Sequence, residues 1–276
     1  DKGEIPCFLF RWQADPRRSP EWRKAQDAKL GDDIAAQELD CDFYAAAEAV
    51  YIKPKWVNAC INAHKNIPEL RRTGIRQAGL DVGAVKNSSI LTIKDGQIVE
   101  EPIKLPKAEP TQTALHTHER INEDDVKHLL YDADGIGRDV DGALELLTEN
   151  QNYTVLRFHG AGETSNHYWE EHKKHSKKLF ANQRAEAWGY ARWKILNTYN
   201  HINGKGVYKP EQMISLPDVL ALKNDLSKPR LKYLGSKIRV ESKLEMIARN
   251  VQSPDYADSF IYANYDLKTT NWMDYC

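Results

Sequence analysis

The chain has only four cysteines, and Cys7, Cys41, Cys60 and Cys276 lie far apart with no Cys-x-x-Cys among them. That scatter argues against a zinc ribbon and offers no disulfide framework, so a reducing compartment is the expected setting. Long apolar runs are missing as well: no stretch would span a bilayer and no signal peptide opens the chain, so no membrane partner is expected. Net charge is nearly absent, at −1. This removes any global signature of nucleic-acid binding without excluding a local one. One glycine-rich loop, His159-Gly160-Ala161-Gly162-Glu163, lacks the Gly-Lys-Ser/Thr ending of a phosphate-binding loop, and no Walker A or Walker B sequence occurs elsewhere. The chain opens Asp1-Lys2-Gly3 without a methionine, so a fragment or processed piece of a longer protein is expected.

What is present is enough sequence, 276 residues with 41% hydrophobic and 29% charged, for one large domain or one domain with an appendage. The charge is uneven. Acid gathers in residues 119–141, and lysine and arginine gather in 173–192 and 223–249.

The stretch Ser253-Pro254-Asp255-Tyr256-Ala257-Asp258 carries the strongest chemical signal. Proline suits the first turn of a helix, and Ser253 before it would cap the free amides. Asp255 and Asp258 then share a helical face with no base between them, a repulsive arrangement that a divalent cation would relieve. Capping and the helix dipole alone would explain one of these acids better than both. Further acid stands in apolar, strand-like sequence at Asp81, in Ala78-Gly79-Leu80-Asp81-Val82-Gly83, and at Asp132, in Leu129-Leu130-Tyr131-Asp132-Ala133-Asp134-Gly135. A charge in such a place is costly unless it is paired or bound to metal. Carboxylates delivered by three separate elements are the logic of a two-metal phosphodiester-cleaving centre, with Mg²⁺ or Mn²⁺ favoured over zinc by the all-oxygen ligand set. Asp134, before Gly135, reads more readily as a turn residue than as a metal ligand. His167, His172 and His175 lie in a lysine-rich stretch that reads as a basic surface.

Along the chain, residues 1–75 read as an extension, with Ser19 capping a helix at Pro20, Gly31-Asp32-Asp33 breaking it, a short element over 34–43 and another helix over 55–63. From about residue 75 the rhythm is α/β. It predicts a strand over 75–82 and a hairpin of 89–93 with 97–105 across Asp95-Gly96. A helix starting at 122–125 then leads to a strand over 128–132, followed by a helix over 140–147 and a strand over 153–158. A long charged helix over 169–200 is expected next, with Arg184 and Glu186 as an ion pair on it. A loop and short helix over 213–224 and a late hairpin of 231–234 with 237–240 precede the acidic helix.

This order resembles an RNase H-like fold: a central mixed sheet flanked by helices, here with an N-terminal extension and a late β-hairpin. In that fold the first acid lies on the first strand, the second ends the fourth, and the others come from the last helix. Asp81, Asp132 and the pair Asp255 and Asp258 fall in those positions. The Asp-x-x-Asp helix is similar to that of Holliday-junction resolvases. The chain more closely resembles the nuclease domain of the large terminase subunit of tailed bacteriophages. The segment 39–43 after Gln37-Glu38 resembles the terminase link from ATPase to nuclease. Tyr131-Asp132-Ala133-Asp134-Gly135-Ile136-Gly137 resembles the second acidic motif, Asn182-Gln183-Arg184-Ala185-Glu186-Ala187-Trp188 the Asn-x-Arg-Ala-Glu-x-Trp signature, and Val240-Glu241-Ser242-Lys243 the approach to the last acids. The stretch after Asp81 lacks the second acid often found there.

The resemblance implies a metal-dependent endodeoxyribonuclease that cuts concatemeric viral DNA during packaging, with two Mg²⁺ or Mn²⁺ ions held by Asp81, Asp132, Asp255 and Asp258 and Asp81 bridging. It implies double-stranded DNA, a small terminase subunit, the portal protein and an ATPase domain of the same protein as partners, in the cytoplasm of a bacterial host. Residues 1–75 would be the link from that missing ATPase region and 76–276 the nuclease domain. Lys232, Lys237, Arg239 and Lys243 are candidate contacts to the DNA backbone. Two other readings stay open: a junction-resolvase-like recombination nuclease, against which the Asn182–Trp188 signature speaks, and a silent DNA-binding or docking module.

Overall fold

The structure, a computed structural model, describes residues 12–30, 39, 50–83, 87–148 and 152–265. Of the expected element over 34–43, only Leu39 is among them. The chain divides into two compact units, Asp1–Val50 and Tyr51–Cys276. In the first, helix α1 spans Pro20–Leu30 with proline at its start, and the Ser19 hydroxyl accepts the Trp22 amide at 3.1 Å.

The second unit holds a six-stranded mixed sheet in the order β3-β2-β1-β5-β6, with β4 also pairing β2. β1 is Arg76–Asp81, β2 Ile90–Asp95, β3 Ile98–Val99, β4 Ile103–Lys104, β5 Val126–Asp132 and β6 Thr154–Phe158. The first strands form a meander because Gly96 takes φ +60° and turns the chain between β2 and β3. β5 and β6 then add in parallel beside β1, so the C-terminal ends of β1, β5 and β6 point the same way.

Helix α2, Pro54–Cys60, packs into the same unit: Tyr51, Ile52, Trp56, Val57 and Cys60 are all buried in its core. Helix α3, Pro110–Glu123, connects β4 to β5, and helix α4, Arg138–Thr148, connects β5 to β6. The expectation that 122–125 would begin a helix is corrected here. Pro110 occupies the first turn, and the helix ends at 123, before Asp125 with φ +49°. The long helix expected over 169–200 is also corrected. The chain first makes the hairpin β7, Tyr168–Trp169, with β8, Lys174–His175, turning at Lys173 with φ +49°. A short α5, Ser176–Leu179, follows, and only then the 20-residue α6, Gln183–Ile202. Helix α7 is Leu220–Leu226, and β9, Leu231–Leu234, pairs with β10, Lys237–Val240, as the expected late hairpin. Helices α8, Lys243–Ala248, and α9, Asp255–Asn264, complete the described chain.

The strand pleat sorts the two faces of the sheet. Ala78, Leu80, Leu129 and Tyr131 share a core with Ala114 and Ile121 of α3 and Val140 and Leu144 of α4. Leu130 and Phe158 join the opposite core, with α2, α6, α7 and α9. Gly79 lies on that second face, and α9 comes so close that a Cβ there would stand 2.2 Å from the Ser259 carbonyl and the Ala263 amide. Among the described residues, no helix is long and apolar enough to cross a membrane.

Candidate metal centre

Asp81 ends β1 and Asp132 ends β5, one residue beyond the paired Leu80 and Tyr131 of these parallel neighbours. Adjacent strands lie about 4.8 Å apart, so the two carboxylates emerge side by side at the C-terminal ends of two central strands. Alternation puts Asp81 on the face of Gly79, against which α9 packs. That helix presents Asp258 to the same corner. Asp81 is 4% exposed and Asp258 fully buried.

Two bases answer these acids. The Lys243 ammonium, at the start of α8, stands 3.2 Å from Asp81 Oδ1 and 3.3 Å from Asp258 Oδ2. Arg184, in the first turn of α6, donates from Nη1 to Asp258 Oδ1 at 3.0 Å. The expected Arg184–Glu186 ion pair does not form. Residues two apart on a helix do not face each other, and Glu186 instead accepts from the Ser165 amide and hydroxyl, the Ser176 hydroxyl and the Tyr265 hydroxyl. Those donors hold a fully buried carboxylate and tie the β7–β8 region to α6.

Burial pushes the Asp81 carboxyl up to about 7; Lys243 pulls against that shift, while Asp258 and Asp255 add to it. Asp132 is raised as well, first by burial, although the Asp134 amide at 3.1 Å opposes the rise. The Tyr262 hydroxyl donates to Asp132 Oδ2 at 3.2 Å. Tyr262 was not anticipated, although its place four residues after Asp258 puts it on the same helical face. The Lys243 amine is held well above the usual lysine range by Asp258 and Asp81, which overcome its own burial.

The other anticipated residues take different positions. Asp255 begins α9, and its charge is felt at Asp81 and at Asp225. Asp134 turns to the loop after β6, where its Oδ2 accepts from the Gly160 amide at 2.8 Å and its Oδ1 lies 3.0 Å from His159 Nδ1. Ser253 does not cap α9, because the cap position falls on Pro254; the Tyr256 amide is taken at 3.0 Å by Asp225 from α7. Lys232 and Lys237 lie half-buried on the β9–β10 hairpin. Arg239 is committed to Glu245 through two hydrogen bonds of 2.8 and 2.7 Å. The Val240–Lys243 run has a structural logic of its own. Glu241 is buried against Arg249, Ser242 and Glu245 form a capping box, and Lys243 is thereby set into the acid corner.

Among the described residues, no three His, Cys, Asp or Glu side chains are arranged closely enough to hold a metal ion as they stand. In the acid corner, Lys243 stands between Asp81 and Asp258 and supplies the positive charge. The donor set nevertheless fits a hard divalent cation in kind: all its atoms are carboxylate oxygens, and Asp258 Oδ2 has no hydrogen-bond donor.

No family model matches the sequence, and no curated protein matches it. Among solved structures, the nuclease domain of the large terminase subunit gp2 of bacterial virus Sf6 is similar, with TM-score 0.71, 19% identity, and coverage of 78% of this chain and 98% of that one. A lysine-to-alanine mutant of that domain with manganese, and the same mutant with calcium, match with the same figures. The chain has the RNase H-like fold of the phage large-terminase nuclease domains.

Proposed function

We propose that the chain is a divalent-metal-dependent DNA endonuclease of the large-terminase kind, hydrolysing phosphodiester bonds of concatemeric viral DNA during genome packaging. The carrying observation is the meeting of the buried Asp81 and Asp258, from β1 and α9, balanced by Lys243 and Arg184, with Asp132 at the end of β5 near enough to feel Asp258 and Lys243. A fold sustains such a cluster at a cost in desolvation and repulsion, and that cost has a use where a cation is bound.

Asp81, Asp132 and Asp258 would hold Mg²⁺ or Mn²⁺, two ions in the full reading, with Asp255 at the rim and Asp134 left to its loop. Such ions polarise a phosphoryl oxygen and give a water nucleophile at neutral pH. The chain's own residues set the stage. Tyr262 orients Asp132, and Lys243, which the acids hold in the absence of metal, would be free to meet a phosphate oxygen where a cation balances them. The manganese and calcium bound by the similar Sf6 mutant domain support a divalent ion. Lys232 and Lys237 on one hairpin, and the exposed Lys173, Lys174, Lys177 and Lys178 near the other, would hold the DNA backbone without reading its sequence. Partners on this reading are double-stranded DNA, a small terminase subunit, the portal, and an ATPase domain of the same protein in the host cytoplasm, with 1–75 as the link and 76–276 as the nuclease domain.

The test is cleavage of supercoiled plasmid. Nicking or linearisation with Mn²⁺ or Mg²⁺, none with EDTA, and none from Asp81→Ala or Asp258→Ala is the expected result. Cutting that survives both substitutions would defeat the assignment.

A further inference from the structure

Asp258 carries two cations, and they are not equivalent. Lys243 is a flexible point charge at the start of a six-residue helix, 38% exposed, shared between Asp81 and Asp258. Arg184 is a planar fork, 17% exposed, with one hydrogen bond, and that bond goes to Asp258 Oδ1. Its base is fixed on several sides. Asn182 accepts the Ala185 amide, the Gln183 and Arg184 amides donate to the Gly162 and Gly160 carbonyls, and the guanidinium lies 5.6 Å over the buried Trp188 ring. Its Nε and Nη2 are buried without a hydrogen-bond partner. Leaving charged donors unmade is costly, and a surface-seeking arginine would turn them to water. Here the guanidinium is kept inside for a single hydrogen bond.

We propose that Arg184 is a positioning residue of the metal centre: it holds Asp258 Oδ1 so that Oδ2 faces Asp81, where the divalent cation binds. This rests on the nuclease reading above. The role has a distinctive sign. On charge alone, a cation beside the acids opposes the binding of another, so removing Arg184 would tighten metal binding. If Arg184 positions Asp258, removing it weakens metal binding, because the carboxylate loses its fixed orientation and must be ordered by the metal itself.

The experiment is calorimetric titration of Mn²⁺ into the full 276-residue chain, without DNA, for wild type, Arg184→Gln and Arg184→Lys, with thermal melting to verify folding. Arg184→Gln is expected to weaken Mn²⁺ binding about tenfold, as loss of a group that orients a ligand commonly does. Arg184→Lys, which keeps the charge and loses the fork, is expected to fall between it and wild type. Unchanged or tighter binding in Arg184→Gln overturns the role. If Arg184→Gln does not fold, Arg184→Lys decides: weaker binding supports positioning, and wild-type binding overturns it. A wild-type chain that binds no Mn²⁺ defeats the metal centre itself, and the positioning role falls with it.

Discussion

Lys243 sits where the buried Asp81 and Asp258 converge, with the half-buried Asp132 beside them. Its removal leaves Asp81 and Asp258 with less positive charge around them. Lys243→Ala is therefore expected to bind Mn²⁺ several-fold more tightly by titration. It should also lose about 2 kcal/mol of metal-free stability in urea denaturation, a figure reduced from that of a fully buried pair because water replaces part of the ammonium. Unchanged affinity would mean that Lys243 does not compete for the site. The acids that meet it were legible in the sequence because an aspartate within an apolar run needs a reason. The partner of Arg184 was not: Asp258 lies 74 residues away, and no local pattern reports a contact across that distance. The nearby Glu186 offered an apparent partner that helix geometry rules out.

At the scale of elements, the corner depends on how closely α9 lies on β1. Gly79 permits that approach, since any Cβ would meet the α9 backbone at 2.2 Å. Gly79→Ala would push the helix carrying Asp258 away from the strand carrying Asp81. It is expected to cost about 3 kcal/mol, the upper part of the overpacking range, with a matching loss of Mn²⁺ affinity in whatever fraction stays folded. A melting temperature near that of wild type would contradict the account of this contact. Strands β1, β5 and β6 and the late hairpin were readable from apolar periodicity and glycine turns. The region 169–182 was not, because its lysines and histidines suit a solvated hairpin as well as a solvated helix, and the deciding contacts come from Ser176 and Glu186. Likewise Ser253 looked like a cap in sequence, while the group that serves the α9 amide comes from Asp225 of another helix.

For the whole molecule, the electrostatics predict an unusual pH profile. Glu245 is lowered to about 2 by Arg239 and Ser242, and Glu241 is lowered by Arg249 and Arg230 despite its burial. Such groups add stability above their ordinary value of 4.5 that is lost as pH falls through their folded values. Asp81 runs the other way. Raised by burial to about 7, it favours folding below its ordinary value of 3.8, and that contribution is lost as pH rises to about 7. The metal-free chain should therefore lose stability between pH 5 and pH 7, and Asp81→Asn should flatten that decline in urea denaturation; an equal slope in both proteins would count against the burial of the Asp81 charge. Added Mn²⁺ should stabilise more at pH 8 than at pH 5, because it binds ionised carboxylates. Whether Asp81, Asp132 and Asp258 hold a divalent ion can be seen by anomalous diffraction from crystals grown with Mn²⁺. Manganese peaks bounded by those three carboxylates are expected, with the Lys243 ammonium withdrawn from between Asp81 and Asp258. Manganese bound elsewhere, with Lys243 still in place, would contradict the assignment.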